Sequence, residues 1–169
     1  KMSMSKHMKR SGVVAWCPKP ELASLIVCGT GAGSLGDFSA SAPQVEVFSV
    51  SSSDPQDRTM PVLGAAEVTE RFHSIAWGKG DAGTPCGLIA GGMANGSVTV
   101  LNAGAIVKYV NSQNSLCEPD INFISRGEDT AVLSATDKHV GPVQGLDFNP
   151  NQPNLLASGG AEAEVSKSF

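Results

Sequence analysis

Three stretches of the chain repeat one pattern, and this recurrence limits the possible folds more than any other feature. The first is VVAWCPKPELASLIVCGTG from Val13. The second is HSIAWGKGDAGTPCGLIAGGMANGSVTVLN from His73. The third is HVGPVQGLDFNPNQPNLLASGGAEAEV from His139. Each opens on a short alternating run that ends in an aromatic: Trp16, Trp77 or Phe148. A turn rich in Pro, Gly or Asn follows, then a compact apolar run closing on small residues. The aromatic-to-glycine separation is 13, 14 and 11 residues. Period-two alternation marks half-buried strands, and a repeated unit that cannot bury its own faces must stack on its neighbours.

The repeat reads as a four-stranded antiparallel unit. Val45-Glu46-Val47-Phe48 and Val98-Thr99-Val100-Leu101 supply third strands in the first two copies. Residues 61–68 and 130–135 are candidate fourth strands. Asn95-Gly96 predicts a two-residue hairpin turn with positive φ at both positions. Such units arranged around an axis make a β-propeller. The expected fold is therefore all-β, an incomplete β-propeller with about two full blades and part of a third; the third copy, with His139, Pro142-Val143, Leu146, Phe148-Asn149-Pro150 and Leu156-Ala157-Ser158-Gly159, resembles the WD repeat, so the propeller is expected to be of WD-repeat type. The blades are expected at about 12–68, 73–135 and 139–169, the last truncated. Residues 1–11 stand apart as an N-terminal segment, a candidate strand for closing the ring in a longer protein. The repeat starts are farther apart than in a standard WD unit, so insertions are expected at the Ser-rich segment 49–60 and at 103–129. Within the second insertion, AIVKYV is expected to extend a strand.

The stretch LIVCGTGAGSLG spells G-x-G-x-x-G with Gly31, Gly33 and Gly36. A dinucleotide site needs a helix directly after these glycines, with its N-terminus facing the pyrophosphate. DFSASAPQVEVFSV follows instead and turns to period-two alternation. A crossover to a parallel strand needs about 10–12 residues, more than are present before Val45. Asp54, placed like a ribose-binding acid, lies in the turn SSSDPQD. The glycines are expected to serve a strand-loop-strand connection, and no cofactor is expected.

The net charge is −4 with pI near 5.3, and no basic face appears beyond Lys1, Lys6, Lys9 and Arg10, so nucleic acid is not an expected partner. No apolar run reaches the ~18–20 residues that span a bilayer, and KMSMSKHMKR lacks the apolar region of a signal peptide. Direct membrane insertion is not expected. Cys17, Cys28, Cys86 and Cys117 form no C-x-x-C pair, and His7, His73 and His139 are scattered. Four buried or half-buried thiols and no metal site are the expectation.

Ser158, His139 and Asp147 have the residue types of a hydrolase triad, but the resemblance to a WD repeat, where a histidine before the first strand and a serine in the second brace the blade, implies a structural hydrogen bond for the first two, and roles need geometry. No catalytic residue is assigned. His73 opens a strand and reads as structural. Trp16 and Trp77 end equivalent strands and are expected to pack between blades. The loop 29–36 is expected on one rim, and the turn Asp54–Asp57 in solvent.

Irregular features carry a resemblance beyond the repeat: KRSGVVAW, FSASAPQVEVFSV, TERFHSIAWG, GLIAGGMANGSVTVLN and KHVGPVQGLDFNPNQPNLLASG. In this order they resemble the N-terminal WD-repeat propeller of the large outer-coat subunit of the COPII vesicle coat, the Sec-thirty-one type. The resemblance runs from about Lys9 to Ser158. It implies a structural, non-enzymatic coat subunit for transport from endoplasmic reticulum to Golgi. It implies protein partners, the smaller WD-repeat subunit of Sec-thirteen type and the inner coat, and a cytoplasmic location, peripheral on exit sites and vesicles. The other class of function is a WD-repeat adaptor, such as a ubiquitin-ligase substrate receptor. The usual third-strand Trp-Asp is missing. The third copy should continue into E-I-x-I-W-D but reads AEAEVSKSF. A ring needs at least about four blades, so a partial sequence is expected, with exposed strand edges that favour self-association.

Overall fold

A computed structural model describes residues 6–7, 12–32, 42–50, 58–107, 131–162 and 165–168. Most of the segment 1–11, Gly33, Gly36, the turn Asp54–Asp57, Lys108–Val110 of AIVKYV, Cys117 and residue 130 lie outside the described residues.

Among the described residues, eleven strands form three antiparallel sheets. The first holds β1 (Gly12–Trp16), β2 (Leu25–Thr30), β3 (Gln44–Ser49) and β4 (Val62–Glu67), in that order. The second holds β5 (Phe72–Gly78), β6 (Leu88–Met93), β7 (Ser97–Asn102) and β8 (Val132–Asp137). The third has three strands, β9 (Val143–Phe148), β10 (Leu156–Gly160) and β11 (Val165–Ser168), with β10 in the middle. Each sheet is a simple meander. β5 packs beside both β1 and β9, so the first strands of the three sheets are neighbours along one inner edge. These are three successive blades of an unclosed β-propeller.

Alternation along the strands puts apolar side chains on both faces of the middle blade. One face joins Leu25, Val27, Val45 and Val47 of the first blade to Trp77, Ile89 and Leu101 of the second. The other joins Ala90 and Val98 to Val143 and Leu156 of the third, with Leu146 and Phe148 packed against them. The repeat extends to its defects. β3 slips register against β4 between Val47 and Phe48, and β7 slips against β8 between Val100 and Leu101, the equivalent position. Such bulges increase local twist where an outer strand is added.

Four local readings are corrected. The β6–β7 loop is three residues long, Ala94 to Gly96, and is closed by Gly96 N–H donating to Met93 O at 3.2 Å. Gly96 takes φ 94° there, the left-handed position that follows a tight turn in three-residue hairpins. The start of AIVKYV does not extend a strand. Ala103–Ile106 forms the short helix α1, capped by Asn102 Oδ1, which accepts from Gly104 N at 2.9 Å. Ile106 is buried, and the turn lies so close to Gly64 of β4 that a Cβ there would strike the Ile106 carbonyl. The third blade does gain a third strand, because Val165–Ser168 pairs with Leu156–Gly159 despite its weak strand composition. Cys86 is disulfide-bonded, whereas Cys17 lies in the core as a thiol. Sequence spacing carries no information on which cysteines meet, so it could not separate these cases.

Candidate protein-interaction surface

The way the blades grip one another defines what their outer faces can do. Phe72 opens β5 and is fully buried. Its ring lies over Gly29 of the first blade and Gly91 of its own, and neither position has room for a Cβ. One step along, the Phe148 ring of the third blade covers Gly78 of the second, where a Cβ would stand 2.5 Å from Cγ. Trp77 is only 6% exposed and shares a core with Cys17. Thus Trp77 and Phe148, equivalent in the repeat, each point toward the preceding blade, where Cys17 and Gly78 follow the equivalent aromatic. An aromatic ring on a small residue gives close packing without a void.

Polar links tie the blades as well. Ser74 Oγ donates to Val143 O at 2.8 Å, and Lys19 Nζ donates to Pro85 O at 2.6 Å. Ala32 N donates to Phe72 O at 2.8 Å, so the glycine stretch after β2 is fastened to the next blade. Thr30 Oγ1 and the Gln44 backbone exchange hydrogen bonds at 3.1 Å, tying the end of β2 to the start of β3. β2 and β3 pair antiparallel, which no nucleotide-binding crossover does.

The outer face of the first blade carries two rows across the sheet. Trp16, Ile26, Phe48 and Val62 stand in register, as do Val14, Cys28, Glu46 and Ala65. Phe48, Cys28 and Glu46 are buried, but Val14, Val62 and Trp16 are exposed. The expectation that Trp16 packs between blades is therefore corrected: it is 58% exposed, because no blade among the described residues lies on that face. The outer face of the third blade is different in kind. Its rows are Gly145–Gly159–Val165 and Asp147–Ala157–Lys167. A Cβ added at Gly145 meets nothing within 4 Å.

His139 Nε2 and Ser158 Oγ lie 2.9 Å apart, both buried, bracing the entry of the third blade. Asp147 does not join them. It pairs with Ala157 while Ser158 pairs with Leu146, so its side chain occupies the opposite face. His73 is half-buried in β5. No group of three metal-ligating side chains occurs among the described residues, and no described helix is long and apolar enough to cross a membrane. Burial pushes the Cys17 thiol above its ordinary pKa, against weaker lowering by the Lys19 backbone N–H and the Lys19 charge.

Sequence reasoning missed Phe72 as the central contact. Its signal was the glycines at 29 and 91, the small residues on which the apolar runs close, which leave the space the ring fills.

The fold and its outer faces define a class: a β-propeller segment of WD type. Comparison with known proteins gives the particular kin. The chain is 30% identical over 165 residues to the protein transport protein SEC31 of Dictyostelium discoideum, covering 97% of this chain and 11% of that protein. It is 31% identical over 167 residues to the SEC31 homolog B of Arabidopsis thaliana, covering 97% of this chain and 13% of that one. Mouse Sec31B matches at 30% over 162 residues. The chain is a homologue of the Sec31 protein transport proteins and spans about a tenth of the length of the curated relatives it matches. No family model matches. Among solved structures, the outer coat vertex of COPII on membranes matches with TM-score 0.63 and 19% identity, over 94% of this chain and 33% of that one. The COPII coat assembled on membranes matches with the same TM-score over 18% of its chain. Both likenesses show the fold.

Proposed function

We propose that this chain is part of a structural subunit of the COPII outer coat, working through protein contacts of its propeller and without catalysis. One observation carries the reading: homology to Sec31 proteins extends over nearly the whole chain, in a fold that also matches the outer coat vertex. Rigid blades with rim loops suit such a role, since loops on a fixed scaffold present contacts at little entropic cost. On this reading residues 12–169 act as one propeller segment and residues 1–11 supply a ring-closing strand. The partners are the smaller WD-repeat subunit of Sec-thirteen type and the inner coat. The location is cytoplasmic and peripheral, at endoplasmic reticulum exit sites and on COPII vesicles.

A chimera tests this. The homologous segment of the Dictyostelium protein is replaced by these 169 residues, and export of a secreted cargo from the endoplasmic reticulum is followed. The chimera should restore export to parental rates and concentrate at exit sites. A chimera that accumulates as folded protein yet fails to join the coat overturns the proposal.

A further inference from the structure

Asn95 is the only asparagine in the sequence followed by glycine, and the fold calls for both halves of the pair. Gly96 sits at φ 94°, where a Cβ would run into the His139 carbonyl, so the position needs glycine. Asn95 supplies an acceptor to the turn: its Oδ1 takes Ser97 N–H at 3.0 Å and the Ser97 hydroxyl at 2.7 Å. The same pair is chemically reactive. A backbone nitrogen that follows asparagine can attack the side-chain amide carbon, and glycine puts no Cβ in its way. The closed turn keeps both groups occupied. Gly96 N–H is engaged with Met93 O at 3.2 Å, and the Asn95 amide is engaged through its oxygen. Asn95 itself is exposed at the loop tip, whereas Gly96 and Ser97 are buried. Gly96 O in turn accepts from Lys138 N at 3.4 Å and His139 N at 3.2 Å, so the turn holds the backbone that enters the third blade.

We propose that Asn95 is a self-modification site, closed while the β6–β7 turn is hydrogen-bonded and reactive when it opens. In the open turn, Gly96 N gives its proton to solvent base and attacks Asn95 Cγ. A C–N bond forms, the Cγ–Nδ2 bond breaks, and ammonia leaves after taking a proton from solvent. The product is a succinimide ring. Water then adds to one of the two ring carbonyls, and the C–N bond at that carbon breaks. Addition at Cγ gives aspartate. Addition at the main-chain carbonyl of residue 95 gives isoaspartate, in which the chain runs through the former side chain. The balance is water in and ammonia out, with no change of oxidation state. Aspartate keeps an acceptor for Ser97. Isoaspartate adds a methylene to the main chain just before Gly96, which moves Gly96 O from beneath the Lys138 and His139 amides. The site thereby turns a transient opening into a lasting loss of the link between the second and third blades. This does not rest on the coat reading, which the chimera tests separately.

The test incubates the protein at mildly alkaline pH, in native buffer and in denaturing urea, and follows peptides spanning residue 95 by mass spectrometry. Aspartyl and isoaspartyl peptides share one mass and separate by chromatographic retention. In urea, Asn95 should convert to both forms. In native buffer the same site should convert at least about tenfold more slowly, because the fraction of time the turn is open sets the rate. Asn95→Gln needs a larger, slower-forming ring and should stay unmodified at that position in both arms. In the isoaspartyl fraction, amide hydrogen exchange at Lys138 and His139 should be faster than in unmodified protein. Freshly prepared Asn95→Asp keeps the acceptor and should exchange there as slowly as wild type, which separates the lengthened chain from the added charge. Absence of conversion at Asn95 in urea overturns the site. Equal rates in the two arms overturn its closure by the fold. Unchanged exchange at Lys138 and His139 in the isoaspartyl fraction overturns the loss of the link, as does equally fast exchange in Asn95→Asp.

Discussion

Gly29 of the first blade makes room for Phe72 of the second: a Cβ at position 29 would stand 2.5 Å from the Phe72 ring. Gly91 flanks the same ring within its own blade. The ring is fully buried and can retreat from neither side without displacing a strand. Gly29→Ala should therefore destabilise by about 1–3 kcal/mol through overpacking. Phe72→Ala should cost about 3–5 kcal/mol through lost burial and the cavity left between blades. Urea unfolding of both variants checks the pair. Equal, near-zero effects would show that the two blades do not meet at this ring.

Trp77 combines burial with a directed hydrogen bond, its Nε1–H donating to Cys86 O at 3.0 Å. Phenylalanine keeps most of the apolar area but leaves that carbonyl without this donor. Trp77→Phe should destabilise by about 1–3 kcal/mol, the usual cost of an unmet buried polar group plus some lost volume. The midpoint of chemical denaturation, followed by far-UV circular dichroism, measures it.

The blades were legible because each aromatic and its glycine recur at nearly fixed separation, and because strand alternation is strong in VEVF and SVTVL. Elements imposed by tertiary packing were not. The composition of AEAEVSKSF favours no strand, yet β10 offers an unpaired edge and Val165–Ser168 fills it; strand propensity yields to pairing. AIV is β-prone, yet Asn102 caps a turn of helix there that buries Ile106 beside β4. Trp16 and Trp77 look equivalent in sequence and differ in burial, because burial depends on a neighbouring blade that no local pattern contains. His139 and Ser158 were legible as a pair. The exclusion of Asp147 needed the register, since a shift of one residue moves a side chain to the other face.

Ser158 is the buried partner of His139 Nε2. Removing its hydroxyl takes the hydrogen bond from a site where water has poor access. Ser158→Ala should lower stability by about 1–3 kcal/mol. Ser158→Thr keeps the hydroxyl and should cost less. Thermal melts of the two variants distinguish loss of the bond from a change of shape. An alanine variant as stable as wild type would mean that the pair braces nothing.

Cys17 gives a pH signature. Burial raises its pKa in the folded state, so between the unfolded and folded values the native protein holds a proton that the unfolded chain has released. Its contribution to stability is fully present below the unfolded pKa, about 8.5, and is lost as pH rises from there through the folded value. Unfolding free energy of wild type should fall more steeply than that of Cys17→Ala above this pH, with parallel curves near neutrality. Alkylation of native Cys17 should lag behind that of the unfolded chain at the same alkaline pH. Parallel curves throughout would remove the thiol from the account.

Two glycines in loops of the second blade should respond to alanine with opposite sign. Gly96 sits at φ 94°, and a Cβ there would run into the carbonyl of His139 and come within 2.8 Å of Gly141 O. The turn also receives backbone donors from Lys138 and His139 on Gly96 O, so it cannot shift without loosening the link to the third blade. Gly96→Ala should destabilise by more than the ~1 kcal/mol expected of left-handed strain alone. Gly83 lies in an exposed loop at a φ outside the left-handed region, where a Cβ meets only Asp81 Oδ1 at 3.5 Å. Gly83→Ala should be neutral to stabilising by about 0.4–1 kcal/mol, because it mainly restricts the unfolded chain. Matched denaturation curves decide the case. If Gly96→Ala unfolds at the wild-type midpoint, the turn is not held as described, and its tie to the third blade is not needed for stability.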